Sequence, residues 1–120
     1  MSKTKYQSGD IIQVNLGDIS DPKQIKGHEQ GKERPCIVIK SLPLMELVVI
    51  VPFTSKKPKR MHPYLVKIEK DGKALIYDSY ALCQHIRTVS TKRITAKKGN
   101  ISEADLLKIR FVLSDLLDLE

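Results

Sequence analysis

Hydrophobic positions along the chain fall into several short stretches of strand period followed by one stretch of helical period. Between Asp10 and Leu16 the residues Ile12, Val14 and Leu16 alternate with Gln13 and Asn15, which predicts a strand with one face toward the core. Cys36-Ile37-Val38-Ile39 and Leu47-Val48-Val49-Ile50-Val51 are continuous, largely β-branched runs, the pattern of strands buried on both faces at the centre of a sheet. Tyr64–Ile68, Ala74–Tyr77, Gln84–Val89 and Arg93–Ala96 read as further strands, with Lys70-Asp71-Gly72-Lys73 as a tight hairpin through its Asp-Gly pair. Pro43, the Pro58–Pro63 segment and Gly99-Asn100 mark the breaks.

Helical period appears once, near the end. Ser102-Glu103-Ala104-Asp105 has capping-box spacing, in which Ser102 accepts from the amide of Asp105 and Asp105 reaches back. Leu106, Ile109, Leu113 and Leu116 then recur every third or fourth residue, and Leu107, Phe111, Val112 and Leu117 widen the stripe, so the helix is expected to lay a broad apolar face on the sheet. The fold class that follows is α+β: a mainly β domain with a twisted antiparallel sheet closed by a C-terminal helix. Gly17–Lys32, polar and containing Pro22 and two internal glycines, is the longest irregular segment, and long loops in compact domains are mostly functional or disordered.

Size and composition narrow the classes. A chain of 120 residues supports one core, so a single domain over 1–120 is expected. The polar start and the lack of any apolar run long enough to span a bilayer predict a soluble, cytoplasmic protein with no membrane association. Cys36 and Cys83 form no C-x-x-C, and His28, His62 and His85 show no ligand spacing, so reduced thiols and neither metal nor cofactor are expected. The net charge of +7 points to an anionic partner. Seven Lys/Arg fall between Lys56 and Lys73 against two acids, five more lie unopposed from Arg87 to Lys98, and the last 22 residues turn acidic. That asymmetry suggests one face for a polyanion, where neutralised phosphates release counterions.

Two residues sit where such a face would need chemistry. Arg34 stands where the polar loop enters the Cys36 strand, so a rigid strand end can aim its guanidinium fork at a phosphate, and Pro35 holds it extended. Thr54 has the equivalent place after the Leu47–Val51 strand, just before the basic run Lys56-Lys57-Pro58-Lys59-Arg60. Together they offer a guanidinium and a hydroxyl to a developing phosphorane charge. Attack by a neighbouring 2′-OH needs no metal if such donors are present. His28, His85 and Glu29 are each possible general bases by type.

Gly9-Asp10-Ile11-Ile12, Gly27-x-Glu29-Gln30 with Arg34-Pro35, Val51-Pro52-x-Thr54-Ser55, Asp78-Ser79 and Ile86-Arg87-Thr88-Val89, in this order from Gly9 to the C-terminal helix, resemble the MazF/PemK family of toxin endoribonucleases. The resemblance implies an SH3-like small barrel, a homodimer, sequence-selective cleavage of single-stranded mRNA and inhibition by a cognate antitoxin through an acidic C-terminal segment. It makes Arg34 and Thr54 the catalytic pair, Glu29 and Gln30 loop residues of the site and Asp78-Ser79 the segment lining the RNA groove; with Lys56 and Lys57 beside Thr54, and with His28, Gln84 and His85, these are the expected RNA-contacting residues.

The chain departs from the family pattern: many members read an acidic residue followed by Gln before the x-Arg-Thr, where this chain has Gln84-His85-Ile86-Arg87-Thr88. The Asp/Arg acid-base pair proposed for some of them falls on Gln84 and Leu82. Two other readings therefore stand beside the nuclease: a toxin of the same fold that traps DNA gyrase, and a catalytically inactive RNA-binding module. The helix end Leu116-Leu117-Asp118-Leu119-Glu120 lacks the aromatic expected of the gyrase-trapping type.

Overall fold

The structure, a computed structural model, describes residues 5–17 and 33–119. Among these residues seven antiparallel strands precede one α-helix: β1 (Asp10–Asn15), β2 (Glu33–Leu42), β3 (Leu47–Thr54), β4 (Leu65–Ile68), β5 (Ser79–Leu82), β6 (Arg87–Ser90), β7 (Ile94–Asn100) and α1 (Glu103–Leu116). The strand order is β4-β5-β3-β2-β1-β7, with β6 also on β3. Thus β3 uses one edge twice: Leu47–Ile50 pair with β6, and Phe53 and Thr54 pair with β5. The changeover falls at Val51-Pro52, and proline, lacking an N–H, suits a point where the ladder on that edge is interrupted.

Chain length forces this sheet to curl. From β6 to β7 across β3, β2 and β1 a flat sheet would span four strand spacings, roughly 19 Å. Ser90 and Ile94 are joined only by the 3-10 turn Thr91–Arg93, and four residue steps reach at most about 14 Å even when extended. The sheet therefore curls into a small, open barrel in which β6 and β7 approach without pairing. Register shifts help to bend it: the β2–β3 pairing skips Ile39, and the β1–β7 pairing shifts beside Ile11 and again beside Gln13.

Two cores result from strict alternation. Ile12, Val14, Cys36, Val38, Val48, Ile50 and Val89 fill the inside of the curl. Ile11, Ile37, Val51 and Phe53 point outward from the same strands and are covered by β4, β5 and α1 through Val66, Ile68, Ala81, Ile109 and Leu113. The double burial expected of the β-branched runs is therefore observed. Ser102 Oγ accepts from the amide of Asp105 at 3.1 Å, the first half of the capping box, while the Asp105 carboxylate lies 3.9 Å from Lys108 Nζ.

Five local expectations need correction. Ala74–Tyr77 is not a strand; β5 starts at Ser79. Asp71-Gly72 does turn the chain, but the Asp71 carboxylate accepts from the amides of Lys73 and Leu75, folding 69–78 into a self-braced loop instead of a two-residue hairpin. The Leu75 and Lys73 amides hold the Asp71 carboxyl below its ordinary value. Gln84 and His85 lie on the 3-10 turn Cys83–His85, and the strand begins only at Arg87. Gly99-Asn100 lies inside β7, where Gly99 (φ +150°) gives the close approach that lets Ala74 dock: a Cβ at Gly99 would meet the Ala74 Cβ at 3.0 Å. Finally, α1 buries a narrower face than its apolar content suggests. Leu107 and Phe111 sit one helical turn apart, nearly opposite Ile109, and both are exposed, as is much of Leu117.

Candidate active site

Register places the two singled-out residues together. Cys36 of β2 pairs with Pro52 of β3, Arg34 lies two residues before Cys36, and Thr54 lies two after Pro52. In antiparallel strands those steps run the same way, and the two-residue period keeps both side chains on one face. Arg34 is the second residue of β2 and opposes Val14 of β1, so its backbone is held by the sheet. Thr54 ends β3, and its Oγ1 accepts from the Lys56 amide at 3.2 Å. That bond turns the chain, fixes the threonine rotamer and leaves the hydroxyl proton free to be donated.

Both residues line a cleft of about 540 Å³. Pro35, Phe53, Ser55 and Lys56 continue its walls beside them, the loop residues Ala74–Tyr77 and Ser79 form a third side, and Gln13 and Lys98 stand across from β1 and β7. Ser79 is buried and its Oγ donates to the Tyr77 carbonyl at 3.0 Å. Arg34, Thr54, Lys56 and Ser79 are thus brought together. Lys57 is exposed on the same basic loop, one residue outside the lining. Gln84 and His85 are exposed on the turn after β5 and do not line this cleft; β5 carries the chain from Ser79 away to that turn, against which α1 packs. His28, Glu29 and Gln30 lie outside the described residues. His62 is engaged elsewhere, its Nδ1 accepting from the Tyr64 amide at 3.2 Å.

Both thiols are buried in the core. Burial pushes the Cys36 thiol up to about 12, and the guanidinium groups of Arg34 and Arg87 act against that shift without reversing it. Burial likewise raises Cys83 to about 11. Arg87, the arginine of the Ile86–Val89 motif, stands on β6 opposite Ile50 of β3 and does not line the cleft. Sequence reasoning passed over Lys98 and Gln13 as lining residues, which the β1–β7 pairing brings to the cleft across a long stretch of chain, whereas Glu33 comes with its neighbour Arg34. Glu33 accepts from Thr95 Oγ1 at 3.3 Å.

Residues 7–117 match the family described as PemK-like, MazF-like toxin of type II toxin-antitoxin systems. The chain belongs to this family. It is 30% identical over 101 residues to Endoribonuclease MazF of Staphylococcus epidermidis, a match spanning 80% of this chain and 84% of that protein. Its fold is that of a MazE–MazF structure from Deinococcus radiodurans (TM-score 0.73, 21% identity, 99% of this chain and 100% of that one). It is also similar to a mycobacterial endoribonuclease solved with its cognate antitoxin (TM-score 0.69, 19% identity, 94% and 95% covered). As a MazF-like toxin the chain joins a small β-barrel to a cationic cleft whose donors stand at the adjoining ends of β2 and β3.

Proposed function

We propose that this MazF-like toxin is a cytoplasmic endoribonuclease that cleaves single-stranded mRNA sequence-selectively, without a metal ion, by attack of the 2′-OH on the adjacent phosphorus. The 2′-oxygen bonds to phosphorus, the bond from phosphorus to the 5′-oxygen breaks, and the products are a 2′,3′-cyclic phosphate and a 5′-OH. Arg34 supplies charge and paired donors to the phosphorane oxygens, and the free Thr54 proton supplies a third donor. Lys56 and Lys57 hold flanking phosphates and Ser79 shapes the groove. His28, Glu29 and Gln30 complete the RNA-contacting set, and Gln84 and His85 meet nucleotides beyond the cleft. With His85 away from the cleft, the proton acceptor is sought among His28, Glu29 and Glu33.

The observation that carries this reading is the placement of Arg34 and Thr54 on one face at neighbouring strand ends of a single cationic cleft. The naming of a relative as Endoribonuclease MazF favours it over the gyrase-trapping alternative. The proposal includes a homodimer restrained by an antitoxin whose acidic segment occupies the cleft; a relative solved with its cognate antitoxin supports the antitoxin as partner. Mapping new 5′-OH ends across the transcriptome after induction tests it: ends clustered at one short motif are expected, and no new ends, or ends scattered without a motif, would contradict it.

A further inference from the structure

We infer that Tyr77 is the base-stacking platform of the cleft, the ring on which a nucleotide of bound single-stranded RNA lays its base. This rests on the RNA-cleaving reading for its ligand and adds a residue that neither the family motifs nor the catalytic pair assigns. Among the described aromatic residues at the cleft, Phe53 is 1% exposed and serves the core, whereas Tyr77 is 68% exposed. Tyr80 is buried in β5, and Tyr64 is half-buried beside His62.

The backbone around Tyr77 is tied while its ring is presented. Ser79 Oγ donates to the Tyr77 carbonyl, the Asp78 carboxylate accepts from the Lys70 amide at 2.9 Å, and Leu75 is anchored in the core. The loop sends Ala74 and Leu75 inward and Ile76 and Tyr77 outward. A large apolar pair is therefore held out to water on a braced loop at the rim of a cationic groove. Single-strand sites combine these two elements, cations that track phosphates and an aromatic face that takes a base of any identity. Tyrosine gives that face at low ordering cost, since only two side-chain torsions are fixed. Stacked on Tyr77, a base would fix the register of its nucleotide relative to Arg34, making Tyr77 a positioning residue.

The test is equilibrium binding of a labelled 2′-O-methyl oligoribonucleotide of mixed sequence, which 2′-OH attack cannot cleave, to wild type, Tyr77→Phe and Tyr77→Ala over a range of salt. Tyr77→Ala should weaken binding about 5- to 100-fold, and Tyr77→Phe should stay within about twofold of wild type, because stacking needs the ring and not the hydroxyl. All three should share one slope of log affinity against log salt, since Tyr77 carries no charge. Wild-type affinity in Tyr77→Ala, equal losses in both variants, or a changed slope in Tyr77→Ala would each overturn the inference. A wild type that binds no oligonucleotide at any salt would instead overturn the RNA reading on which it stands.

Discussion

Arg34 and Thr54 lie at strand ends, half-buried, with backbone that the sheet holds whether or not their side chains are present. Arg34→Ala should therefore fold and lose cleavage by about 10²-fold or more, the usual scale for removing a preorganised donor to a transition state. Arg34→Lys keeps the charge but not the fork and should stay strongly impaired, which steady-state cleavage kinetics of the two variants would check. Thr54→Val removes the donor proton and the acceptor for Lys56, whereas Thr54→Ser keeps both, so Ser should recover activity that Val loses. The thiols give a pH test. With folded values near 12 and 11 against an ordinary 9.0, burying the neutral thiols stabilises the fold fully below about pH 9. That contribution is lost as pH rises toward the folded values, so a thiol reagent at pH 8 should label neither cysteine until denaturant is added. Arg34 was legible in the sequence because Pro35 and a β-branched run follow it. Lys98 and Gln13 were not, because the β1–β7 pairing brings them to that end and no local spacing encodes it.

At the scale of elements, the central strands were readable since burial on both faces leaves no polar alternation to mislead. The loop 69–78 was not. Ala74-Leu75-Ile76-Tyr77 has strand composition, but two of its residues enter the core as an anchor and two remain outside it, a pattern that matches a strand only by residue type. The C-terminal helix was placed correctly from its Ser102 cap, yet its width was overestimated, because counting apolar residues ignores that Leu107 and Phe111 project about 160–200° from Ile109. Gly99 ties the loop to β7. Gly99→Ala puts a Cβ 3.0 Å from Ala74 and imposes a positive φ on a side chain, so it should cost about 1–3 kcal/mol in denaturant unfolding. Adding Ala74→Gly should return the steric part but not the backbone part, a partial rescue in a double-mutant cycle. Additive losses would mean that the two residues do not press on one another.

For the whole molecule, a net charge of +7 is divided between a basic body and an acidic tail. The barrel gathers part of the basic charge, including Arg34, Lys56 and Lys98, around one cleft. Replacing Lys56 and Lys57 together should reduce the salt slope of RNA binding by about 0.7 for each phosphate no longer neutralised. An acidic antitoxin segment should compete for the same groove with affinity that falls as salt rises, and unchanged RNA affinity at saturating antitoxin would move that partner to another face. The central claim, that this barrel cuts RNA with its own donors and no metal, has a direct measurement: incubation of purified protein with a long single-stranded RNA in EDTA, followed by analysis of both new ends. Cleavage by wild type yielding cyclic phosphate and 5′-OH ends, and none by a folded Arg34→Ala protein, is the predicted result. Cleavage that stops in EDTA, leaves 5′-phosphates, or persists in Arg34→Ala would contradict the account.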